Sequence, residues 1–398
     1  MTANVLPVPE AFHGTTGKRC EPRWPDTLTG RVVHVVGRVT DEVFSFLGPA
    51  TSALARLGVR QAVVMIDDAR YRCHLARIHE SVEVILAPST RNPIHQWREV
   101  LRACRVSLEG GPLHAVHLHG LLPCLVGAGA VRSARLQLPI LYSPHGSRSL
   151  GSMRTMGVLA PSLIRPLIRP LPHAAIVTVP REAFAFEKWE SVAVVENPVA
   201  EVFHKVRRHE ARQPLIVTGG RGQDRRGVAR FAQFAVLLGG DLRVGFNWLG
   251  TVDASVRQRL TAANVAVFDV TSEQECASRL ASAWIYAAPG ATRGFPLFLA
   301  RAMAVGLPCV VADSPHHRGV IRHGETGFLC RSERAMLERI ATLLDNPGLR
   351  ARIGAAARDE ARSRFGEHRF SASLLAAYAE NALRMGVAEI GGVLGQSH

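Results

Sequence analysis

The stretch Trp284-Ile285-Tyr286-Ala287-Ala288-Pro289-Gly290-Ala291-Thr292-Arg293-Gly294 decides how the rest of this chain is read. Five apolar residues and a proline run into a loop with two glycines, and the spacing beyond predicts a helix over 296–305. Gly306-Leu307-Pro308 stops that helix, because glycine accepts the left-handed backbone of a helix end and proline cannot continue the ladder. A second strand-like run, Cys309-Val310-Val311-Ala312, and the turn-rich Gly324-Glu325-Thr326-Gly327-Phe328-Leu329 complete the region. Strand, loop, helix, stop and strand make a parallel α/β unit. Its loop leaves the carboxyl end of a strand, where open parallel sheets bind ligands.

The same pattern extends in both directions. Upstream, strand-like runs fall at 214–218, 242–246 and 265–268, and downstream helical spacing covers 334–344 and 347–380. A separate series occupies the first half, with strands expected at 31–36, 61–66, 82–86, 113–119, 139–143 and 174–179. Helices are expected at 42–57, which Gly58 can end, and at 94–106. The strand and turn over 191–199 carry the chain into the second series, and the polar run 205–212 reads as a linker surface. Two α/β domains follow, as 398 residues exceed what one ordinary core accommodates. The expected division is an extension at 1–30, domains at 31–200 and 201–366, and a crossing helix with a fraying tail at 367–398.

The net charge of +15 comes almost wholly from arginine, since the lysines are Lys18, Lys188 and Lys205. Genome composition, an acidic membrane surface, anionic substrates and nucleic acid are the competing explanations. No zinc-finger spacing or Gly-rich RNA-binding stretch accompanies the charge, so no nucleic-acid partner is expected. Seven scattered cysteines fit buried thiols in a reducing compartment, not a disulfide framework. No signal-peptide core and no uninterrupted apolar run of about 20 residues is present, which points to a cytoplasmic protein. Between two first-domain strands, 148–172 carries Arg148, Arg154, Arg165 and Arg169 among Leu, Ile, Met and Pro. It reads as an amphipathic piece packed on its own sheet or as a peripheral contact with an acidic inner-membrane surface.

Several residues stand where chemistry is expected. His119 ends the strand 113–119 and reaches the sheet top, whereas His117, two residues earlier on the same face, reads as packing or support. His145 follows the strand 139–143 as a softer candidate. The glycines around Arg221 and Arg226 allow backbone amides close to an anion, and the two guanidiniums can stabilise charge developing on a diphosphate leaving group. No metal is expected, because His316, His317 and Asp313 lack further ligands at a recognisable spacing. Neither a Walker sequence nor an early Gly-x-Gly-x-x-Gly is present, which counts against ATPase and dinucleotide-oxidoreductase readings.

In order and spacing, these pieces resemble the GT-B retaining glycosyltransferases, specifically the large glycosyltransferase family 4. The resemblance spans roughly 31–381 and is strongest over 284–330. It rests on Val116-His117-Leu118-His119-Gly120, Tyr142-Ser143-Pro144-His145-Gly146, Glu196-Asn197-Pro198, Gly220-Arg221-Gly222-Gln223-Asp224-Arg225-Arg226-Gly227, Ala302-Met303-Ala304-Val305-Gly306 and Gly324-Glu325-Thr326-Gly327. It implies two Rossmann-like domains facing across a cleft, with a nucleotide-sugar as donor substrate and no other cofactor. Transfer with retention to a glycan or lipid-linked acceptor, in surface or exopolysaccharide assembly, is the implied activity. His119 would touch the donor sugar, Arg221 and Arg226 would clamp the diphosphate, and His145 would line the acceptor side. Gly220, Gly222, Arg293, Gly294, Phe295, Pro296 and Arg301 would form the donor pocket. The family usually has glutamate where Arg293 and Arg301 stand, the first beside the donor sugar and the second on the ribose hydroxyls. Arginine reverses the charge and cannot accept a hydrogen bond. An unusual or acidic donor, a rearranged pocket, and a non-catalytic partner of another glycosyltransferase or a polyanionic saccharide all remain open.

Overall fold

The computed structural model describes residues 30–37, 41–90, 92–136, 138–145, 174–178, 183, 191–240, 244–270, 272–291 and 294–384. Arg293, the basic segment 148–172 and the two chain ends lie outside these residues. The chain divides into two compact units, one running through Val195 and resuming at Phe370, the other Glu196–Arg369.

The first unit is a seven-stranded, all-parallel sheet. Its strands are β1 (Arg31–Val36), β2 (Arg60–Ile66), β3 (Glu83–Ala87), β4 (Leu113–His119), β5 (Ile140–Ser143), β6 (Ala174–Val177) and β7 (Ser191–Val194). They are ordered β3-β2-β1-β4-β5-β6-β7. Every residue of β1 is buried, as expected for a central strand covered on both faces. Val33, Val35, Val116 and Leu118 pack with the helices Pro93–Glu109 and Leu121–Ser133. Val32, Ala115 and Leu141 face the other way, toward Phe46 of helix Asp41–Ala55 and toward Phe370, Leu374 and Tyr378 of helix Glu367–Arg384. The alternation along each strand thus assigns His34, His117, His119 and Ser143 to this second face.

The second unit has six parallel strands: β8 (Leu215–Gly219), β9 (Gly245–Leu249), β10 (Val265–Phe268), β11 (Ile285–Ala288), β12 (Cys309–Ala312) and β13 (Phe328–Cys330). Their order, β10-β9-β8-β11-β12-β13, repeats that of the first six strands of the other sheet. Two expectations need correcting. The strand at 242–246 starts instead at Gly245 and runs to Leu249, where Phe246 and Trp248 fill the core beside Phe231. The turn-rich stretch before 329 ends in an edge strand, because Phe328 and Cys330 bury against β12 once it is in place. No helix among the described residues is long and apolar enough to cross a membrane.

Candidate functional site

An open parallel sheet forms a ligand crevice where its strand order reverses. In the second unit the reversal lies between β8 and β11. Just past β8, Gly220 and Gly222 hold φ of 137° and 65°, which side chains rarely tolerate. Asp224 caps the helix Arg225–Gly239 by accepting from Arg226 N at 3.2 Å, and its other oxygen accepts from Ala291 N at 2.9 Å. One carboxylate therefore ties the β8 loop to the β11 loop. A Cβ on Gly227 would lie 2.7 Å from Gly290 Cα, so the absence of a side chain lets the helix start approach that second loop. Arg226 is exposed and Arg221 half-buried at this end of the sheet.

On the β11 side, Gly294 has φ 70° and Phe295 is buried edge-on against Phe365. Pro296 precedes the helix Leu297–Val305 without a side-chain cap. Leu297 N donates to Phe295 O at 2.9 Å, and the positive end of the helix dipole favours an anion nearby. Arg301, on the same helix, is nearly buried and pairs with Glu273 at 3.1 Å. Its guanidinium lies over Phe203 and Phe298, at 5.0 and 5.4 Å from the ring centroids. Glu273 is thus the partner the sequence reading missed. Its one sequence signal is a place in the first turn of a helix capped by Ser272, which says nothing of Arg301.

In the first unit the reversal lies between β1 and β4. His34 and His117 are register partners there, and His119 ends β4 opposite Val36. His34 Nδ1 lies 3.1 Å from His119 Nε2, and His119 Nδ1 lies 2.8 Å from His145 Nε2. His117 reaches Tyr378 Oη with Nδ1 at 2.7 Å and Ser143 Oγ with Nε2 at 2.8 Å. Phe46 meets His117, His119 and His145 edge-on. His145 adopts φ 47°, an uncommon left-handed backbone for a residue with a side chain. Both nitrogens of His119 face other imidazoles and its ring is 2% exposed, so ligand contact through it would require breaking one of those bonds.

Burial keeps all four rings neutral. It lowers His34 to about 4, with Gln61 partly opposing the shift, and His145 to about 3. His117 and His119 lie well below the usual histidine range, through burial first and repulsion from neighbouring rings second. Burial pushes the Tyr378 hydroxyl up. Ring nitrogens of His34, His117 and His119 fall within 4.8 Å of one another, close enough to hold a metal ion if their present hydrogen bonds were exchanged. The sequence reading missed this clustering because His34 sits inside an apolar run.

Comparison with known proteins places this geometry in context. Residues 200–360 match the family described as Glycosyl transferases group 1. An uncharacterized glycosyltransferase of Haemophilus influenzae is 39% identical over 71 residues, 17% of this chain and 20% of that protein. Spore coat protein SA of Bacillus subtilis is 35% identical over 83 residues, 20% of this chain and 22% of the relative. The chain's matches thus span about a fifth of the length of these curated relatives. The crystal structure of Anabaena Alr3699/HepE in complex with UDP and glucose superimposes with a TM-score of 0.70 at 16% identity, covering 90% of this chain and 100% of that one. The fold is that of the GT-B glycosyltransferases.

Proposed function

We propose that the protein is a retaining glycosyltransferase that moves a sugar from a nucleotide-sugar donor to a glycan or lipid-linked acceptor in surface or exopolysaccharide assembly. One observation carries the reading. The Glycosyl transferases group 1 match falls on 200–360, the unit whose strand reversal joins a glycine loop, two arginines and an uncapped helix start. In this reading the second unit takes the donor and the first shapes the acceptor side. The bond from sugar carbon to diphosphate breaks as the acceptor oxygen bonds the same face of the sugar. A donor phosphate oxygen takes the acceptor's proton. Arg221 and Arg226 stabilise the charge gained by the diphosphate, and the positive end of the helix Leu297–Val305 supplements them. His145 contacts substrate, while His119 holds it in place. Attraction of the arginines of 148–172 to an acidic membrane surface belongs to the same proposal, with flotation on acidic liposomes as its test.

The pairing of the nearly buried Arg301 with the half-exposed Glu273 favours a second reading, a non-catalytic subunit that partners another glycosyltransferase or binds a polyanionic saccharide. In that pair the arginine serves the interior of its own unit. Incubating the purified protein with UDP-, GDP-, ADP- and dTDP-sugars, with mass-spectrometric detection of products, separates the two. The transferase reading expects a transfer or hydrolysis product with one nucleotide. Saturable nucleotide binding without product in any acceptor mixture would transfer the assignment to the subunit reading.

A further inference from the structure

At the strand reversal of the first unit His34 Nδ1 and His119 Nε2 face each other across 3.1 Å. A proton supplied by either ring makes this a hydrogen bond. Two nitrogens bound to one metal ion stand at much the same separation. With metal–nitrogen bonds of about 2.0–2.1 Å, 3.1 Å corresponds to roughly 100° at the ion, and opening it by about 0.3 Å reaches the tetrahedral angle. One ring nitrogen of His117 lies within 4.8 Å of both, so three imidazoles surround one small volume. All three side chains are buried, and Phe46 stands edge-on to His117 and His119.

An ion requires each ring to present a bare nitrogen and to keep its proton on the other, and the neighbours allow this. His119 can donate from Nδ1 to His145 Nε2 at 2.8 Å. His117 can donate from whichever nitrogen the ion does not take. Nε2 meets Ser143 Oγ at 2.8 Å, an oxygen whose own proton goes to Ile176 O at 2.9 Å. Nδ1 meets the Tyr378 hydroxyl at 2.7 Å, which can accept as well as donate. His34 Nε2 has no hydrogen-bond partner and is open to a proton. Whichever ring holds the proton between His34 and His119 at the start, it has a second nitrogen to receive it. Outer donation of this kind fixes the orientation of metal-binding histidines.

We propose that His34, His117 and His119 form a site for a transition-metal ion of the zinc type, which ties β1 to β4 at the strand reversal. The ion takes the place of the His34–His119 hydrogen bond and of one of the two hydroxyl bonds of His117. The group holds imidazoles and no carboxylate, which suits Zn2+ or Co2+ and not the oxygen-seeking Mg2+ or Ca2+. Neutral rings leave both charges on the ion, and the Tyr378 hydroxyl beside His117 is an ionisable group at hand to offset one of them. The site is independent of the glycosyltransferase reading.

Expressing the untagged full chain in minimal medium with Co2+ as the added transition metal supplies the ion while the chain folds, as a buried cluster requires. After gel filtration the protein should carry about one cobalt per chain, and X-ray absorption should count three imidazoles at about 2.0–2.1 Å. Less than about half an equivalent of metal, or fewer than three imidazoles around it, overturns the proposal. His34→Gln and His119→Gln should each abolish retention, and His316→Gln, on the second unit, should leave it unchanged. Retention by both cluster variants would place the ion elsewhere and sink the site. Should either variant misfold, hydrogen exchange on the wild type decides. Peptides spanning β1 and β4 should exchange at least about tenfold more slowly in cobalt-loaded protein than in protein grown without the metal. Equal rates would overturn the tie between the strands. None of these readouts needs turnover, so a failed transferase assay and a failed metal site remain distinct results.

Discussion

The two sheets reverse their strand order at equivalent places, yet the side chains at the two reversals differ in every physical respect. At the β1–β4 reversal His34, His117 and His119 are joined by His145 from beyond β5, four neutral imidazoles each 9% exposed or less, with Phe46 edge-on to the last three. Between β8 and β11 lie glycines with positive φ, a shared Asp224 carboxylate, a half-buried Arg221 and an exposed Arg226. The topology supplies an address in both units, and it leaves the chemistry open. A dry site favours directional hydrogen bonds to neutral groups, whereas a wet, cationic one favours phosphates.

Acid should break the comparison most severely. Histidines whose folded pKa is depressed contribute full stability above about pH 6.5, and that stability is lost as pH falls below the unfolded value. For His34 and His145, held at about 4 and about 3, the loss is roughly 2 kcal/mol each by about pH 5. The first unit should therefore unfold before the second, in which the described buried histidines are two, His204 and His317, against four in the first. Hydrogen exchange at stepped pH, resolved by peptide, checks the order; simultaneous loss of both units would remove the histidines as the cause.

Replacing Arg221 and Arg226 together by alanine should lower transfer by about 10³-fold while thermal unfolding changes little. Initial rates and a melting curve on the same preparation test this, and unchanged turnover would sink the diphosphate role. Glu273→Ala should cost the second unit about 2 kcal/mol, since it leaves Arg301 charged, nearly buried and unpaired. The exchanged pair, Glu273→Arg with Arg301→Glu, should recover most of that in urea unfolding. If Glu273→Ala were neutral, the ion pair would not be what holds Arg301. The smallest effect expected is from Tyr378→Phe, which strips His117 Nδ1 of its donor at a cost of about 1 kcal/mol. A larger loss would mean that the hydroxyl supports more than one ring.

Much of this was legible from periodicity. The run at 31–36 and the alternating Leu113-His114-Ala115-Val116-His117-Leu118-His119 match β1 and β4 in extent, because continuous burial on a central strand leaves no freedom of register. His119 and His145 were readable as residues just past or at strand ends, and the glycine–arginine stretch as the loop that follows a strand. Gln61, His34 and Tyr378 were not, since each looks like an ordinary member of its own strand or helix. The strand at Gly245–Leu249 was misplaced because the local apolar pattern fits either register until Phe246 and Trp248 meet Phe231.

By itself the sequence determined the alternation of strand and helix, the two-domain α/β class and the glycines at strand ends, because these follow from local backbone preference and apolar spacing. Only the tertiary structure decided which side chains meet. His34 and His117 are 83 positions apart, yet strand pairing makes them neighbours. Tyr378 reaches the same cluster from 261 residues beyond His117. The charge of Arg301 gains its meaning from Glu273 on a different helix. Hydrogen bonds and ion pairs act over a few ångströms in space, and no pattern along the chain encodes which distant residues will share them.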